Sequence, residues 1–351
     1  MKPLIAVALS GGVDSLVAAK LLILQGYPVI GIHFFTGYES ADAGISRKQV
    51  IARLSSQLEI DVYPIDITQV FKETVVDYFV RTYQSGCTPN PCMVCNMSIK
   101  FGTILEFALQ KGASFLATGH YARTFSDPDG NIHLLKGMDP VKDQSYFLSR
   151  MTHRQISHAC FPLGAMVKSE VVRLAGQLGL VPLNHSESQD ICFIHGQTYG
   201  QFLAGQEGFA AVPGPIVDTT GKLVGKHQGL HLFTVGQRQG INCPAAEPYY
   251  VLRIDRDANQ LVVGFKSQLL TLSFRVEHIN WISNAPNFPT RVQTRVRYRS
   301  QAVSSTLVPA DALSSVIVEL DTPCPAVTPG QGAVFYREDE VLGGGWISIR
   351  D

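Results

Sequence analysis

A short apolar strand that runs into a paired-glycine turn is the feature that most constrains this chain. Residues 4–9 are apolar and lead into the segment Ser10-Gly11-Gly12-Val13-Asp14-Ser15, after which a helix is predicted. Two glycines let the backbone approach an anion closely. The first amides of the following helix lack partners within that helix, and the helix dipole also favours negative charge there. The sequence therefore predicts a phosphate-binding loop at the carboxyl end of the first strand.

The motif in this loop indicates which phosphate chemistry to expect. It is not a Walker A loop, because no Gly-Lys-Ser/Thr follows, and it lacks the Gly-x-Gly-x-x-Gly of dinucleotide-binding folds. Ser-Gly-Gly-x-Asp-Ser resembles the loop of the ATP pyrophosphatase (PP-loop) superfamily, whose members cleave ATP between the α- and β-phosphates. The alternative is an ordinary strand–turn–helix connection.

Strands alternate with helices in the first half of the chain. Strands are predicted at 4–9, 27–34, 62–65 and 115–118, and helices at 13–25, 43–58, 68–82, 99–111 and 168–178. This alternation predicts an α/β domain with a doubly wound parallel sheet, in which ligands bind beyond the carboxyl ends of the strands. Ser10, Phe34 and the segment Thr118-Gly119-His120 fall at such ends.

Helical periodicity fades after residue 196. Segments 249–254 and 260–265 are predicted to form a hairpin around Asp257-Ala258-Asn259, and the short β-rich segments from 270 onward are typical of a small β-barrel. We predict a PP-loop catalytic domain at 1–195, a small central β-rich domain at 196–268 and a C-terminal β-barrel at 269–351.

Charge and hydropathy restrict the class of protein. The 29 basic and 29 acidic residues balance, which argues against nonspecific coating of nucleic acid but leaves room for a local basic track. No apolar run is expected to approach the roughly 18 residues of a membrane span, and no signal peptide is visible. We expect a cytoplasmic protein that has no contact with a membrane.

Seven cysteines, an odd and unevenly placed set, favour catalysis or metal binding over a disulfide framework in a cytosolic chain. Cys87, Cys92 and Cys95 lie in a segment with two prolines, which predicts a loop ahead of a helix that starts near Ser98. Cys192 lies far away in the sequence. The remaining cysteines carry no partner signal and are expected to be buried thiols.

With the phosphate loop, these segments closely resemble the tRNA-specific 2-thiouridylase (MnmA/TrmU) family over essentially the whole chain. The motifs that carry the resemblance are Thr88-Pro89-Asn90-Pro91, Cys95-Asn96, Ile99-Lys100-Phe101, Ala117-Thr118-Gly119-His120-Tyr121-Ala122-Arg123, Lys142-Asp143-Gln144-Ser145-Tyr146-Phe147-Leu148, Phe161-Pro162-Leu163-Gly164, Asp190-Ile191-Cys192-Phe193-Ile194, Phe233-Thr234-Val235-Gly236-Gln237-Arg238 and Arg297-Tyr298-Arg299.

The resemblance implies a tRNA-uridine 2-sulfurtransferase. Members adenylate the 2-oxygen of the wobble uridine and replace it with sulfur, releasing AMP and pyrophosphate. By resemblance, Cys192 carries a persulfide, and Cys95 is the partner nucleophile that frees the sulfur by forming a disulfide with it. Such chemistry depends on the thiolate fraction of each cysteine.

The resemblance also assigns binding residues and partners. ATP, with Mg²⁺, is expected at Ala8, Leu9, Ser10, Gly11, Gly12, Val13, Asp14, Ser15, Phe34 and Gly119. Contacts with tRNA are expected at Asn90, Pro91, Cys92, His120, Lys142, Asp143, Gln144, Arg297, Tyr298 and Gln331. The expected partners are the wobble-uridine tRNAs for Lys, Glu and Gln and a sulfur-donor protein, either a desulfurase or a relay protein.

Position 92 leaves alternatives open. Some family members carry an acidic residue there as an acid/base, which cysteine cannot replace. Cys87-x4-Cys92-x2-Cys95 with a distant Cys192 matches the spacing of plant-type [2Fe–2S] proteins, and Cys92, Cys95 and Cys192 are also candidates for a three-thiolate cluster. A zinc clip from Cys92 and Cys95 is a third possibility. The alternative functions are therefore an iron–sulfur or zinc RNA-binding protein, or another PP-loop ligase such as an amidotransferase or an argininosuccinate synthetase relative.

The segment Arg295-Val296-Arg297-Tyr298-Arg299 alternates cations with apolar residues. On a strand, its three guanidinium groups would share one face. We predict an arginine stripe that grips phosphates, the alternative being an edge strand charged against aggregation.

Overall fold

The computed structural model describes residues 1–39, 46–183, 191–310 and 314–348. The predicted starts of the second helix (43–45) and of the Cys192 motif (Asp190) lie outside these residues. The N-terminal elements are β1 (Ile5–Ala8), α1 (Val13–Leu24), β2 (Val29–Phe35), α2 (Arg47–Leu58), β3 (Val62–Asp66), α3 (68–84), α4 (Pro91–Gln110), β4 (Phe115–Ala117), β5 (Ala122–Ser126), β6 (Ile132–Lys136), α5 (Ser145–Leu148), α6 (His153–Ser157), β7 (Ala159–Cys160), α7 (Lys168–Gln177) and α8 (Tyr199–Ala204).

The predicted parallel sheet is confirmed. Its strand order is β3-β2-β1-β4-β7, and each of these pairs is parallel. Alternate residues of β1 enter two separate cores: Ile5 and Val7 pack with α1, α2 and α7, whereas Ala6 and Ala8 pack with α3 and α4. Strand order reverses between β1 and β4, so the phosphate-binding loop lies at the switch point where such sheets bind ligands.

The prediction that Cys92 and Cys95 lie on a loop is wrong. Helix α4 begins at Pro91 rather than near Ser98, with Asn90 as its N-cap. A proline at the first helical position loses only an amide that has no partner within the helix, so Pro91 starts this helix instead of blocking it. The segment Cys95–Ile104 is π-helical between two α-helical ends.

Two β-rich regions follow. A four-stranded sheet has the order β10-β11-β8-β9, and the predicted hairpin is present as β10 and β11. Six further strands close into a barrel in the order β12-β15-β14-β13-β16-β17, with β17 pairing back to β12. The strands are β8 (Gly214–Val217), β9 (Leu223–His227), β10 (Tyr250–Asp255), β11 (Gln260–Gly264), β12 (Leu270–Trp281), β13 (Thr290–Arg295), β14 (Val303–Pro309), β15 (Val316–Pro325), β16 (Gly332–Arg337) and β17 (Glu340–Ile347).

The barrel also continues into the N-terminal domain. Strand β6 of the β5–β6 hairpin pairs with β17, with Leu135 opposite Glu340 and Leu134 opposite Val341. Leu134 is fully buried in the same core as Val341. The catalytic domain and the barrel therefore share one hydrogen-bonded sheet.

One helix, Pro91–Gln110, is long and apolar enough to cross a membrane by length and composition, with half of its apolar window buried inside the protein. The expectation that no segment reaches this length is therefore wrong by those two criteria. The criteria are weak evidence, since a core helix of a soluble protein also meets them.

Candidate active site

The phosphate-binding loop is shaped by short contacts among its own residues. Gly11 has a φ of +80°, which a side chain would strain. The Gly12 amide donates to Ser10 Oγ at 3.3 Å, and Ser15 Oγ donates to the Gly12 carbonyl at 2.9 Å. Gly12 is the N-cap of α1 and gives it no side-chain cap. The first-turn amides are thus left without a side-chain acceptor at the N-cap, as a phosphate site requires.

Gly119 holds the neighbouring strand end against this loop. A Cβ at Gly119 would lie 2.8 Å from the backbone carbon of Asp14 and 2.9 Å from the amide of Ser15. The loop after β4 can therefore approach α1 only because residue 119 is glycine. Phe34, at the end of β2, is half-buried against the adjoining core.

Asp14 is held by two residues from other elements. Lys168, the first residue of α7, donates to both of its carboxylate oxygens, at 2.8 and 2.7 Å, and Tyr121 Oη donates at 2.8 Å. A Mg²⁺ ion bound by Asp14 would have to compete with Lys168 for the carboxylate. Lys168 brings a cation to the mouth of the phosphate-binding loop.

The start of helix α4 is fixed by a cap and by the barrel. The Asn90 side chain accepts a hydrogen bond from the Met93 amide. Gln331 Nε2 donates to the carbonyls of Thr88 and Pro89, at 3.1 and 2.8 Å. The barrel thereby positions the chain that delivers Cys92 and Cys95.

The thiols that the sequence singled out act on one another in the fold. Cys92 and Cys95 are half-buried on α4, whereas Cys192 is exposed, and all are free thiols. The pKa of Cys95 is raised to about 12 and that of Cys92 to about 11, mainly by burial and in part by Cys192. The pKa of Cys192 is also raised, because its sulfur is desolvated although the residue is exposed overall, and Lys100 opposes the rise for all three thiols. The fold therefore brings together cysteines 97 positions apart in the sequence.

Aromatic packing of the next residue fixes the position of Cys192. Its neighbour Phe193 is buried and packs edge-on against Phe79 and Phe71, with ring centroids 5.3 and 5.8 Å apart. Earlier in the chain, the Leu183 amide donates to the Gly11 carbonyl at 2.8 Å. Leu183 therefore contacts the phosphate-binding loop, and Phe193 holds the described residues next to Cys192 in the core.

His120 is buried and directly follows Gly119, which lies against the phosphate-binding loop. Lys100 Nζ is 3.3 Å from its Nε2, and Thr118 Oγ1 is 2.7 Å from its Nδ1. Burial and the charge of Lys100 hold the pKa of His120 well below its usual value, so the ring is neutral. A neutral ring beside an ammonium group accepts at Nε2 and donates from Nδ1 to Thr118.

The segment Lys142-Asp143-Gln144 is expected to contact tRNA, but Asp143 and Gln144 make hydrogen bonds within the protein. Asp143 is buried, and its Oδ1 accepts from the amides of Gly137 and Ser145. Gln144 Oε1 accepts from the Tyr121 amide at 3.0 Å. Lys142 is half-buried. The tRNA contacts of these residues stay a prediction.

The arginine stripe prediction is wrong. Strand β13 ends at Arg295, and residues 296–300 form a bend and turn, so the guanidinium groups do not share a strand face. Arg295 is 3.4 Å from the Asp143 carboxylate, Arg297 donates to the Val235 carbonyl and to Thr328, and Arg299 is exposed. The internal acceptors for Arg295 and Arg297 come from distant segments, which residue alternation could not reveal.

Tyr298, from the same turn, packs on Phe147 with ring centroids 4.4 Å apart. Its tRNA contact, like that of Arg297, stays a prediction. Sequence reasoning missed Lys100, Lys168 and Phe193. The first and last lie in motifs quoted for the family resemblance, but no residue pattern predicts their contacts.

Three family models together match most of the chain. The tRNA methyl transferase HUP domain matches residues 3–196, the tRNA methyl transferase PRC-barrel domain matches 200–265, and the aminomethyltransferase beta-barrel domain matches 271–347. These descriptions agree with the parallel sheet, the central β-rich region and the closed barrel.

Relatives resemble the chain over nearly its full length. The tRNA-specific 2-thiouridylase MnmA of Desulfosudis oleivorans is 50% identical, covering 98% of this chain and 95% of that protein. The protein of the same name from Geotalea uraniireducens is 41% identical, covering 98% and 94%. A solved structure of the U34-tRNA thiolase NcsA from Methanococcus maripaludis is 22% identical over 55% of this chain and 63% of that one, with a TM-score of 0.35, too low to carry an argument.

Proposed function

Because this chain belongs to the tRNA-specific 2-thiouridylase MnmA family and is a tRNA sulfurtransferase, we propose that it inserts sulfur at the 2-position of the wobble uridine in tRNA. The observation that carries the proposal is that two thiols from separate segments are close enough for Cys192 to raise the pKa of Cys95, in a domain that also has a PP-loop motif ahead of α1. Another PP-loop ligase would leave this thiol pair without a use.

In the first step, the uridine 2-oxygen attacks the α-phosphorus of ATP. The bond to the β-phosphate breaks, pyrophosphate leaves, and AMP is joined to the oxygen. A pyrimidine carbonyl oxygen is a poor leaving group, whereas AMP is a good one. The loop amides of α1 stabilise the phosphate charge during this step.

In the second step, the terminal sulfur of a Cys192 persulfide attacks carbon 2, and AMP leaves. The sulfur now joins the base to Cys192 through an S–S bond. The Cys95 thiolate attacks Cys192 Sγ, forms a Cys95–Cys192 disulfide and releases the thiolated uridine. The two cysteines supply the electrons that reduce the transferred sulfur, so an external thiol must reduce the disulfide before the next turnover.

The exposure of Cys192 supports delivery of sulfur from outside. A donor protein has to reach the acceptor thiol, and Cys192 is exposed whereas Cys95 is half-buried. We propose a desulfurase or relay protein as the donor, and the tRNAs for Lys, Glu and Gln as substrates. A cytoplasmic location stays a prediction.

The metal alternatives fit the fold less well. Among the residues that the structure describes, no group of three His, Cys, Asp or Glu side chains could hold a metal ion. The proposed reaction therefore uses neither an iron–sulfur cluster nor a zinc ion. Mg²⁺ binds mainly to phosphates and water in ATP sites, so one protein carboxylate suffices, and we propose Asp14 for that role.

Thiolation of unmodified tRNA transcripts with ATP, cysteine and a cysteine desulfurase, which supplies persulfide sulfur to Cys192, tests the function. We expect AMP, pyrophosphate and 2-thiouridine, and loss of thiolation in Cys95→Ala and Cys192→Ala. Cys160→Ala is the matched control, because Cys160 lies on β7, outside the thiol cluster. ADP and phosphate as products would contradict adenylation.

The order of the sulfur steps has its own test. A single turnover of Cys95→Ala with ³⁵S on Cys192 should trap tRNA covalently on the protein, because the residue that cleaves the S–S bond is missing. Release of thiolated tRNA from this variant at the wild-type rate would remove Cys95 from the mechanism.

A further inference from the structure

The π-helical stretch of α4 places Lys100 relative to Cys95. In an α-helix, a residue five positions later lies about 140° around the axis. In a π-helix the hydrogen bond joins i to i+5, so residue i+5 returns to nearly the same face. Because Cys95–Ile104 is π-helical, Lys100 shares the Cys95 face. Long π-helices are rare and often mark functional sites.

His120 fixes the ammonium group of Lys100. Its Nε2 accepts from Lys100 Nζ at 3.3 Å, and its other nitrogen is bound to Thr118. Since the ring is buried and neutral, it holds the cation without cancelling its charge. A lysine side chain that would otherwise move freely is thus directed toward one place.

The charge held beside His120 acts on the three thiols. The charge of Lys100 lowers the pKa of Cys92, Cys95 and Cys192, against the larger effect of burial. The other ionisable groups that act on these thiols, within the described ranges, are the thiols themselves, and they raise the pKa values. His120 faces Lys100 and is neutral.

We propose that Lys100 is a positioning residue for sulfur transfer, whose ammonium group stabilises the thiolates of Cys95 and Cys192. The proposal rests on the proposed function, in which the Cys192 thiolate accepts sulfur from the donor and the Cys95 thiolate later attacks Cys192 Sγ. Each thiol proton passes to solvent. The thiolate alone is the nucleophile, and it is scarce for Cys95 at neutral pH because burial raises the pKa of this thiol. A nearby positive charge that favours the thiolate therefore increases the reactive fraction.

Alkylation tests this without ATP, tRNA or a sulfur donor, so its result is independent of whether thiolation succeeds. The rate at which iodoacetamide modifies each cysteine is measured from pH 6 to 10 by peptide mass spectrometry. Lys100→Gln keeps a donor for His120 but removes the charge. We expect Cys95 and Cys192 to react on the order of tenfold more slowly at neutral pH, because loss of the positive charge lowers the fraction of each cysteine that is present as thiolate.

Two further variants complete the test. Lys100→Arg keeps the charge and should react within about twofold of wild type. Lys111→Gln, just after the end of the same helix, where the lysine packs on Tyr63 and Phe107, should match wild type. Unchanged pH–rate profiles in Lys100→Gln would overturn the proposal. If Lys100→Gln does not fold, Lys100→Arg decides, and a tenfold loss there overturns it as well.

Discussion

Asp143 offers the sharpest distinction between a binding residue and a structural one. The family resemblance makes it a tRNA contact, whereas the fold buries it to 4% exposure. We expect Asp143→Ala to destabilise the barrel and its junction with the catalytic domain by about 3–5 kcal/mol, the usual cost of removing one partner from a buried ion pair.

The contacts of Asp143 account for this magnitude. Its Oδ1 accepts from the amides of Gly137 at 3.0 Å and Ser145 at 3.1 Å, and each buried amide left without an acceptor costs about 1–3 kcal/mol. Its Oδ2 faces Arg295, whose side chain is 19% exposed. Arg295 Nε is buried without a hydrogen-bond partner among the described residues, so the guanidinium group depends on this carboxylate.

Urea unfolding measured by tryptophan fluorescence is the assay. Both tryptophans, Trp281 and Trp346, lie in barrel strands that pair with each other, β12 and β17. Their emission therefore reports on the part of the molecule that Asp143 supports. Circular dichroism, followed in parallel, reports on the helices of the catalytic domain.

Asp321→Ala is the matched control. Asp321 also pairs with an arginine, Arg291, but the two side chains are 40% and 63% exposed, so the expected loss is below about 1 kcal/mol. The reasoning is refuted if Asp143→Ala unfolds at the wild-type urea concentration and only its tRNA affinity falls. That result would make Asp143 a surface contact.

Three further outcomes follow from single positions. Gly119→Ala should cost about 1–3 kcal/mol and weaken ATP binding by calorimetry, because its Cβ would meet the backbone of α1, whereas Gly176→Ala, with open space around it, should be neutral or stabilising in the same melts. Asn90→Ala should lower the free energy of unfolding by about 1 kcal/mol through loss of the α4 cap, and an unchanged melting temperature would contradict that role. The pKa of His133 is raised mainly by its hydrogen bond to Glu340 across the β6–β17 junction, so this stabilisation is full below the unfolded pKa of about 6.5 and is lost as pH rises through the raised folded value. Thermal melts between pH 5 and 9 should show this loss in wild type and not in His133→Gln.

Much of the architecture could be predicted from periodicity. Apolar strands alternating with helices give the parallel sheet, and the helix predicted at 168–178 is present as α7, which Gly179 follows with a φ of +64°. These features depend on neighbours in sequence. The prediction of where α4 begins was wrong for a local reason. A proline breaks a helix when it lies in the interior, but it is favoured at the first helical position.

The site was only partly predictable, because its key contacts join distant segments. The phosphate-binding loop is local and could be recognised directly. Lys168 is 154 residues from Asp14, and Arg295 is 152 residues from Asp143. No spacing rule predicts such pairs. The π-helical register that aligns Lys100 with Cys95 is equally invisible, since the sequence of α4 carries an ordinary helical pattern.

The shared edge between β6 and β17 limits how this protein can be divided or recombined. A chain cut after residue 268 would leave β6 with unpaired backbone groups and would expose Leu134. An exposed apolar strand edge of this kind is a template for aggregation. A chimaera that takes its barrel from a relative needs residues 122–136 from the same relative, because Glu340 and His133 must match across the seam. Exchange of the barrel is therefore an exchange of two segments that are distant in sequence.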